Sequence, residues 1–254
     1  MSVIYESCST ELIQGAPKGD LLVVNAARAS FAKSKDVLDQ TDVNLLRYLA
    51  TGFRTKEWAA FLQEIKTAVL NGNDPMLEQL LKSYKRKAQH WAPFAHPHIT
   101  LRLIMPVFLA RQFVKHQVGG VWSEESRRYV DDNWTFYKEP TWHTRPEDIK
   151  QGSGEALSED KQEELNEMVD EHLANCQYLY NYMRAYGVAP EEAREQMPLS
   201  HMTTVVWTGS LLFWVRVCQQ RLDAHAQLAA QELGAQIANI IGRECPLSWA
   251  ALME

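Results

Sequence analysis

Cysteine is scarce in this 254-residue chain: Cys8, Cys176, Cys218 and Cys245 lie far apart, and none belongs to a C-x-x-C pair. That spacing excludes a disulfide-stapled scaffold and a zinc knuckle. No apolar run reaches the roughly 18 residues of a bilayer span. The opening MSVIYESCST lacks the charged start and apolar stretch of a secretion signal. A cytoplasmic location is therefore expected, where thiols stay reduced. An excess of positive charge is missing too. Lysine plus arginine number 26 against 32 aspartate plus glutamate, for a net charge of −6, which argues against a general nucleic-acid binder. Neither glycine-rich phosphate fingerprint occurs, and there is no internal repeat or low-complexity stretch. What remains is an ordinary globular composition, 46% hydrophobic and 23% charged, too apolar for disorder.

The patterning is mostly helical. Asp20 to Phe31 is a buried helix or a strand, which its length leaves open. A helix is expected from Asp42 to Leu49, and helical spacing continues from Lys56 to Ala88, broken at Asn71–Asp74. The period changes at His98 to Met105, where Ile99, Leu101, Leu103 and Met105 alternate with less apolar neighbours, as in a strand with one dry face. Pro106 is placed to open a helix running to His116 or Gln117. A polar loop spans 143 to 160. Ser158 is placed to cap a long helix that Gly187 ends. Pro190 starts a short helix, Thr203 to Trp207 is β-like, and helices are expected over Ser210–Arg221 and Ala224–Ile241. The loop is too weak a boundary to split the chain, so residues 1–254 read as one domain.

Chemistry concentrates after Pro106. Arg111, Gln112, Lys115 and His116 gather opposite an apolar side, with Arg111 and Lys115 four residues apart. Two stacked cations repel weakly unless an anion sits between them. Glu124, Ser126, Arg127, Arg128 and Tyr129 follow within a dozen residues. Arginine forks suit phosphate, serine adds a hydroxyl, and glutamate accepts from a sugar hydroxyl or an imide. A solvated basic face is the plainer alternative. His96 and His98 form H-x-H without a third ligand at clear spacing, so no metal site is expected.

These residues also carry a resemblance. Arg111-Gln112-Phe113-Val114-Lys115-His116-Gln117 followed by Ser123-Glu124-Glu125-Ser126-Arg127-Arg128-Tyr129 resembles the signature of flavin-dependent thymidylate synthases, R-Q-x-x-R-H-R then N-E-x-S-x-R-Y. Ala26-Ala27-Arg28-Ala29-Ser30-Phe31, His90 with Pro93-Phe94-Ala95-His96, Ala193-Arg194 with Pro198-Leu199, and Arg221-Leu222-Asp223-Ala224-His225-Ala226-Gln227 resemble four further blocks of that family, in order across residues 26–227. Lys115 and Gln117 replace two arginines, as in some phage-type members. Ser123, Ala95, Ser210, Leu212 and Arg216 also depart from the usual residues, and the linker before Ser126 is one residue longer.

The resemblance implies an α+β fold, a central, largely antiparallel sheet flanked by helices, and a homotetramer with active sites at subunit interfaces. It implies reductive methylation of dUMP to dTMP, with methylenetetrahydrofolate as carbon donor, FAD as cofactor and NADPH as reductant. Arg221 and Ser126 become the expected catalytic residues. Arg111, Gln112, Lys115, Glu124, Ser126, Arg127, Arg128, Arg194 and Arg221 would bind dUMP. Ser30, His90, Lys115, His116, Gln117, Glu124, Ser210, Arg216 and His225 would face FAD. No membrane or nucleic-acid partner is implied. A nucleotide-binding protein of the same fold with altered catalysis, or a helical interaction protein, are the alternatives.

Overall fold

A computed structural model describes residues 3–52, 55–86, 90–146 and 152–253. The elements in chain order are β1 (Ser9–Gln14), α1 (Gly19–Arg28), α2 (Gln40–Leu49), α3 (Thr55–Leu70), α4 (Asp74–Arg86), β2 (His98–Pro106), α5 (Val107–Phe113), β3 (Gly120–Glu124), α6 (Glu159–Ala185), α7 (Pro190–Ala193), β4 (Met202–Ser210), α8 (Leu211–Arg221), α9 (Leu228–Glu244) and α10 (Pro246–Met253). Among the described residues the strands form one sheet in the order β1-β2-β4-β3. None of the described helices is long and apolar enough to cross a membrane.

The alternation read in β2 has a direct outcome. Ile99, Leu101, Leu103 and Met105 are fully buried while His98 and Arg102 are exposed. Strand β4 pairs with it antiparallel: Thr100 Oγ1 meets Thr208 Oγ1 at 2.9 Å near one end, and Val107 N donates to His201 O at 3.0 Å beyond the other. Strand β3 is likewise antiparallel to β4, with Glu125 N donating to Thr204 O at 2.8 Å and Trp122 packed edge-on against Trp207 at 4.9 Å.

The contacts divide the chain into two compact units. The first comprises Met1–Ile13, Thr100–Thr208 and Gln220–Ile237. Its sheet residues bury Leu101, Leu103, Met105, Val205 and Trp207. A second cluster joins Trp134, Phe136, Leu173, Tyr180, Ala193 and Met197. Helix α6 therefore uses Leu173 and Tyr180 as anchors, and the expected stripe is only partly covered: Met168 and Leu179 face outward. Ser158 stands at the N-cap, but its side chain makes no capping bond, so the helix start rests instead on Glu159 and Asp160 beside the positive dipole end. Gly187 ends the helix at φ +84°, with Val188 N donating to Met183 O at 3.1 Å. Helix α5 is shorter than expected. It stops at Phe113, with Val114 as C-cap, so Lys115 lies in the turn beyond it and does not stack on Arg111 along a helix face.

The second unit comprises Gln14–Ile99, Gly209–Gln219 and Ala238–Glu254. The open question over residues 20–31 resolves as helix α1 followed by a 3-10 turn. Asp39 caps α2 in a capping box with Asp42, whose buried carboxylate also pairs with Arg28 and Lys35. Buried Asp20 accepts from Leu247 N and Ser248 N at 2.9 and 2.7 Å, so α1 caps the start of α10.

Candidate active site

Within the first unit, the last residue of α8 meets the last turn of α5. Arg221 Nη2 donates to Gln112 O at 2.7 Å, and its Nε donates to His116 Nε2 at 3.2 Å. The guanidinium carbon lies 5.2 Å from the centre of the Phe113 ring. Burial pushes the His116 imidazole down to about 4, and the positive charge of Arg221 pushes the same way. His116 is thus neutral near pH 7, with Nε2 as acceptor and its proton on Nδ1. Burial also lowers the Arg221 guanidinium from its ordinary value, though arginine remains charged throughout the working range. Gly234 on α9 admits the close approach, since a Cβ there would sit 3.1 Å from Arg221 Cβ.

This guanidinium opens into a cleft of about 460 Å³, lined by Gln112, Gly152, Ser153, Arg221, His225 and Gln227 among others. Gln112 Nε2 donates to Gln227 Oε1 at 2.8 Å. His225 is exposed, with its backbone N–H and Nδ1 both on Asp223 Oδ1 at 2.8 and 3.1 Å. Those bonds hold the Asp223 carboxyl below its usual range.

A second cavity of about 280 Å³ is lined by Glu124, Glu125, Arg127, Arg194, His201 and Thr203 among others. At the end of β3, Glu124 accepts from Thr203 Oγ1 and from Trp122 Nε1, each at 3.1 Å. Arg127, expected to face substrate, spends its guanidinium inside the unit. It donates to Asp132 O at 3.0 Å and Met202 O at 3.3 Å, pairs with Glu125 at 3.2 Å, and lies 4.6 Å over the Trp134 ring. Its neighbour Arg128 is exposed and reaches Ser126 Oγ through Nε at 3.3 Å. Arg111, Lys115 and Gln117 are also exposed, and neither Arg111 nor Lys115 forms an ion pair among the described residues.

The remaining expected residues lie in the second unit. His90 is half-buried, with its ring centre 5.4 Å from that of Tyr48. Ser210 is buried and its Oγ accepts from Phe213 N at 3.2 Å, which starts α8 and occupies the hydroxyl. Arg216 is exposed. The side chain of Ser30 lies outside the described ones.

Three residues escaped the reading of the sequence. Thr203 and half-buried His201 enter the second cavity, and Glu139 enters a third, smaller one beside Gln227. None belongs to a matched block, and only the β3–β4 register reveals that Thr203 faces Glu124. The four cysteines are free thiols. Burial pushes Cys8, Cys218 and Cys245 each up to about 12, unsuited to a thiolate nucleophile.

The protein is thus of the α+β class, with a four-stranded sheet and a cleft made locally cationic by Arg221. The family model described as "Thymidylate synthase complementing protein" matches residues 11–247, and the chain belongs to that family. It is 28% identical over 180 residues to the flavin-dependent thymidylate synthase of Thermosipho africanus, covering 71% of this chain and 78% of the relative. It is 26% identical over 238 residues to the flavin-dependent thymidylate synthase of Wolbachia pipientis wMel, covering 91% and 80%. The fold is that of the crystal structure of the UMP/dUMP methylase PolB from Streptomyces cacaoi bound with 5-Br dUMP. The TM-score is 0.75 at 19% identity, over 99% of this chain and 96% of that one.

Proposed function

We propose that the chain carries out the reaction of a flavin-dependent thymidylate synthase: reductive methylation of dUMP to dTMP. Methylenetetrahydrofolate would supply the carbon, and FAD, recharged by NADPH, the hydride. The observation that carries this reading is Arg221, a half-buried cation held at the mouth of a nucleotide-sized cleft by a carbonyl and a neutral imidazole. C5 of uracil is a poor nucleophile. A fixed cation at the N3/O4 edge stabilises negative charge spreading through the ring, and it does so without reorganising at the moment of reaction.

The other residues divide by chemistry. A phosphate dianion calls for charged donors, which Arg128 and Arg194 would supply with Gln112, and Ser126 would stand between phosphate and base. Arg111 and Lys115, exposed and without an ion pair among the described residues, have a donor set that fits a nucleotide diphosphate. Lys115, His116, Gln117, Glu124 and His225 would hold FAD on that basis. Bound flavin supplies the redox chemistry, and the protein orients and polarises. The assembly would be a homotetramer with active sites at subunit interfaces.

The test is release of tritium from C5-labelled dUMP in the presence of NADPH and methylenetetrahydrofolate, with FAD uptake followed by its visible absorption. Release above the background without protein supports the reading. Protein that binds FAD and dUMP yet releases no tritium overturns it in favour of a nucleotide-binding protein.

A further inference from the structure

Each oxygen of the Glu124 carboxylate is held by its own donor. Trp122 Nε1 donates to Oε2 and Thr203 Oγ1 donates to Oε1, both at 3.1 Å. The first donor stands two residues back on β3, so the two side chains share a face of that strand. The second comes from β4. The register in which Glu125 N donates to Thr204 O sets Trp122 opposite Trp207 and Thr203 diagonally across from Glu124. Both donors are anchored in turn. The Trp122 ring stands edge-on to buried Trp207, with centres 4.9 Å apart, and Thr203 is itself buried. Glu124 is exposed and lines the cavity of about 280 Å³ together with Arg194 and Thr203.

We propose that Trp122 and Thr203 are positioning residues for Glu124. They fix its carboxylate before a ligand arrives, ready to accept from a hydroxyl or N–H of the nucleotide whose phosphate Arg194 takes. This rests on the reading that dUMP enters that cavity. A carboxylate offers about four acceptor positions on its two oxygens. The two donors take one on each oxygen and leave the others for the ligand. A free glutamate side chain loses rotamer freedom when a ligand orders it, and one already held loses less. A cation and a fixed acceptor in one cavity suit a ligand with an anionic end and a donor end, as the phosphate and sugar of a nucleotide are. Trp122 and Thr203 lie outside the matched sequence blocks, so only the hydrogen bonds and the strand register assign them this role.

The experiment removes the donors and leaves the packing. Trp122→Phe keeps an aromatic ring against Trp207 without the N–H, and Thr203→Val keeps the branched shape without the hydroxyl. By calorimetry with FAD bound, the double variant W122F/T203V should bind dUMP about fivefold more weakly, the effect of ordering one long side chain at binding. Its KM for dUMP should rise by the same factor, with kcat within about twofold. T203S keeps the donor and should bind dUMP within about twofold of the parent. In a Glu124→Ala background the two substitutions should change binding by less than about twofold, because no carboxylate is left to position. A double variant as tight as the parent, while E124A is weakened, overturns the proposal alone. So does an equal loss from W122F/T203V in the E124A background, which marks damage to the sheet instead. E124A as tight as the parent overturns the reading of Glu124 and the proposal with it. Crystal structures of the ligand-free parent and W122F/T203V read the positioning itself. A Glu124 carboxylate displaced or spread over several rotamers in the variant supports it, and one unmoved overturns it, whether or not dUMP binds.

Discussion

Arg221 Nη2 lies 3.0 Å from His116 Nε2 and 2.7 Å from the carbonyl oxygen of Gln112, so two uncharged acceptors hold the cation and no carboxylate pairs with it among the described residues. Its charge is positioned without being neutralised. Arg221→Ala should lower kcat for tritium release by about 10²–10³, as for removal of a preorganised donor. The melting temperature should stay within a few degrees, because the arginine contributes no buried ion pair. Full activity in the variant would remove Arg221 from the mechanism.

The same pairing makes a pH prediction. His116 titrates at about 4 in the folded protein, against about 6.5 in an unfolded chain. The unfolded state therefore binds more protons between those values, and stability falls as pH drops from 6.5 toward 4. His116→Gln keeps an acceptor for Arg221 but has no proton to gain. Melting curves at pH 7.5 and 4.5 should show a smaller loss for H116Q than for the parent. Equal losses would mean that His116 is not held neutral by its surroundings. His201, also lowered by burial, leaves a residual slope in both proteins.

Two adjacent arginines should behave differently. Arg127 is buried with two backbone carbonyls, Glu125 and the Trp134 ring around it. Arg127→Ala should cost about 3 kcal/mol of stability, because it strands buried acceptors and leaves Glu125 without its partner. Arg128 is exposed beside Ser126. Arg128→Ala should leave stability within about 0.5 kcal/mol and weaken dUMP binding by about 2 kcal/mol. Chemical denaturation and calorimetry on the two variants separate these effects, and matching profiles would refute the division.

Where one local rule governs, the sequence was legible. The period of β2 shows because one face is fully dry, and Gly187 shows because only a left-handed residue ends α6 in that way. Strands β1 and β3 did not show. Leu12 and Ile13 of β1 are exposed, and β3 is five residues with no buried position, so neither has a pattern to read. Helix α10 is apolar on every side and carries no stripe. The resemblance put Arg221 and Gln112 on one ligand, and the structure joins them at the ends of α5 and α8; His116, expected on FAD, bonds the same guanidinium. The signature marks Arg128 and leaves Arg127 at an open position, and that Arg127 turns inward depends on a turn after β3. It could not find Thr203, whose partner Glu124 lies 79 positions away along the chain.

The start of α10 is capped from another element. Asp20, on α1, is 6% exposed, and its two oxygens accept the first free amides of that helix, Leu247 N and Ser248 N. A helix of eight residues has little stability of its own, and with Pro246 lacking an N–H the carboxylate takes the two free amides of the first turn while facing the positive dipole end. Asp20→Ala should therefore cost about 2 kcal/mol, and Asp20→Asn less, since its amide oxygen still accepts one of the two bonds. Denaturant titration gives the global cost, and amide hydrogen exchange at Leu247 and Ser248 locates it. Unchanged protection at those two amides in D20A would show that α10 holds its first turn without α1.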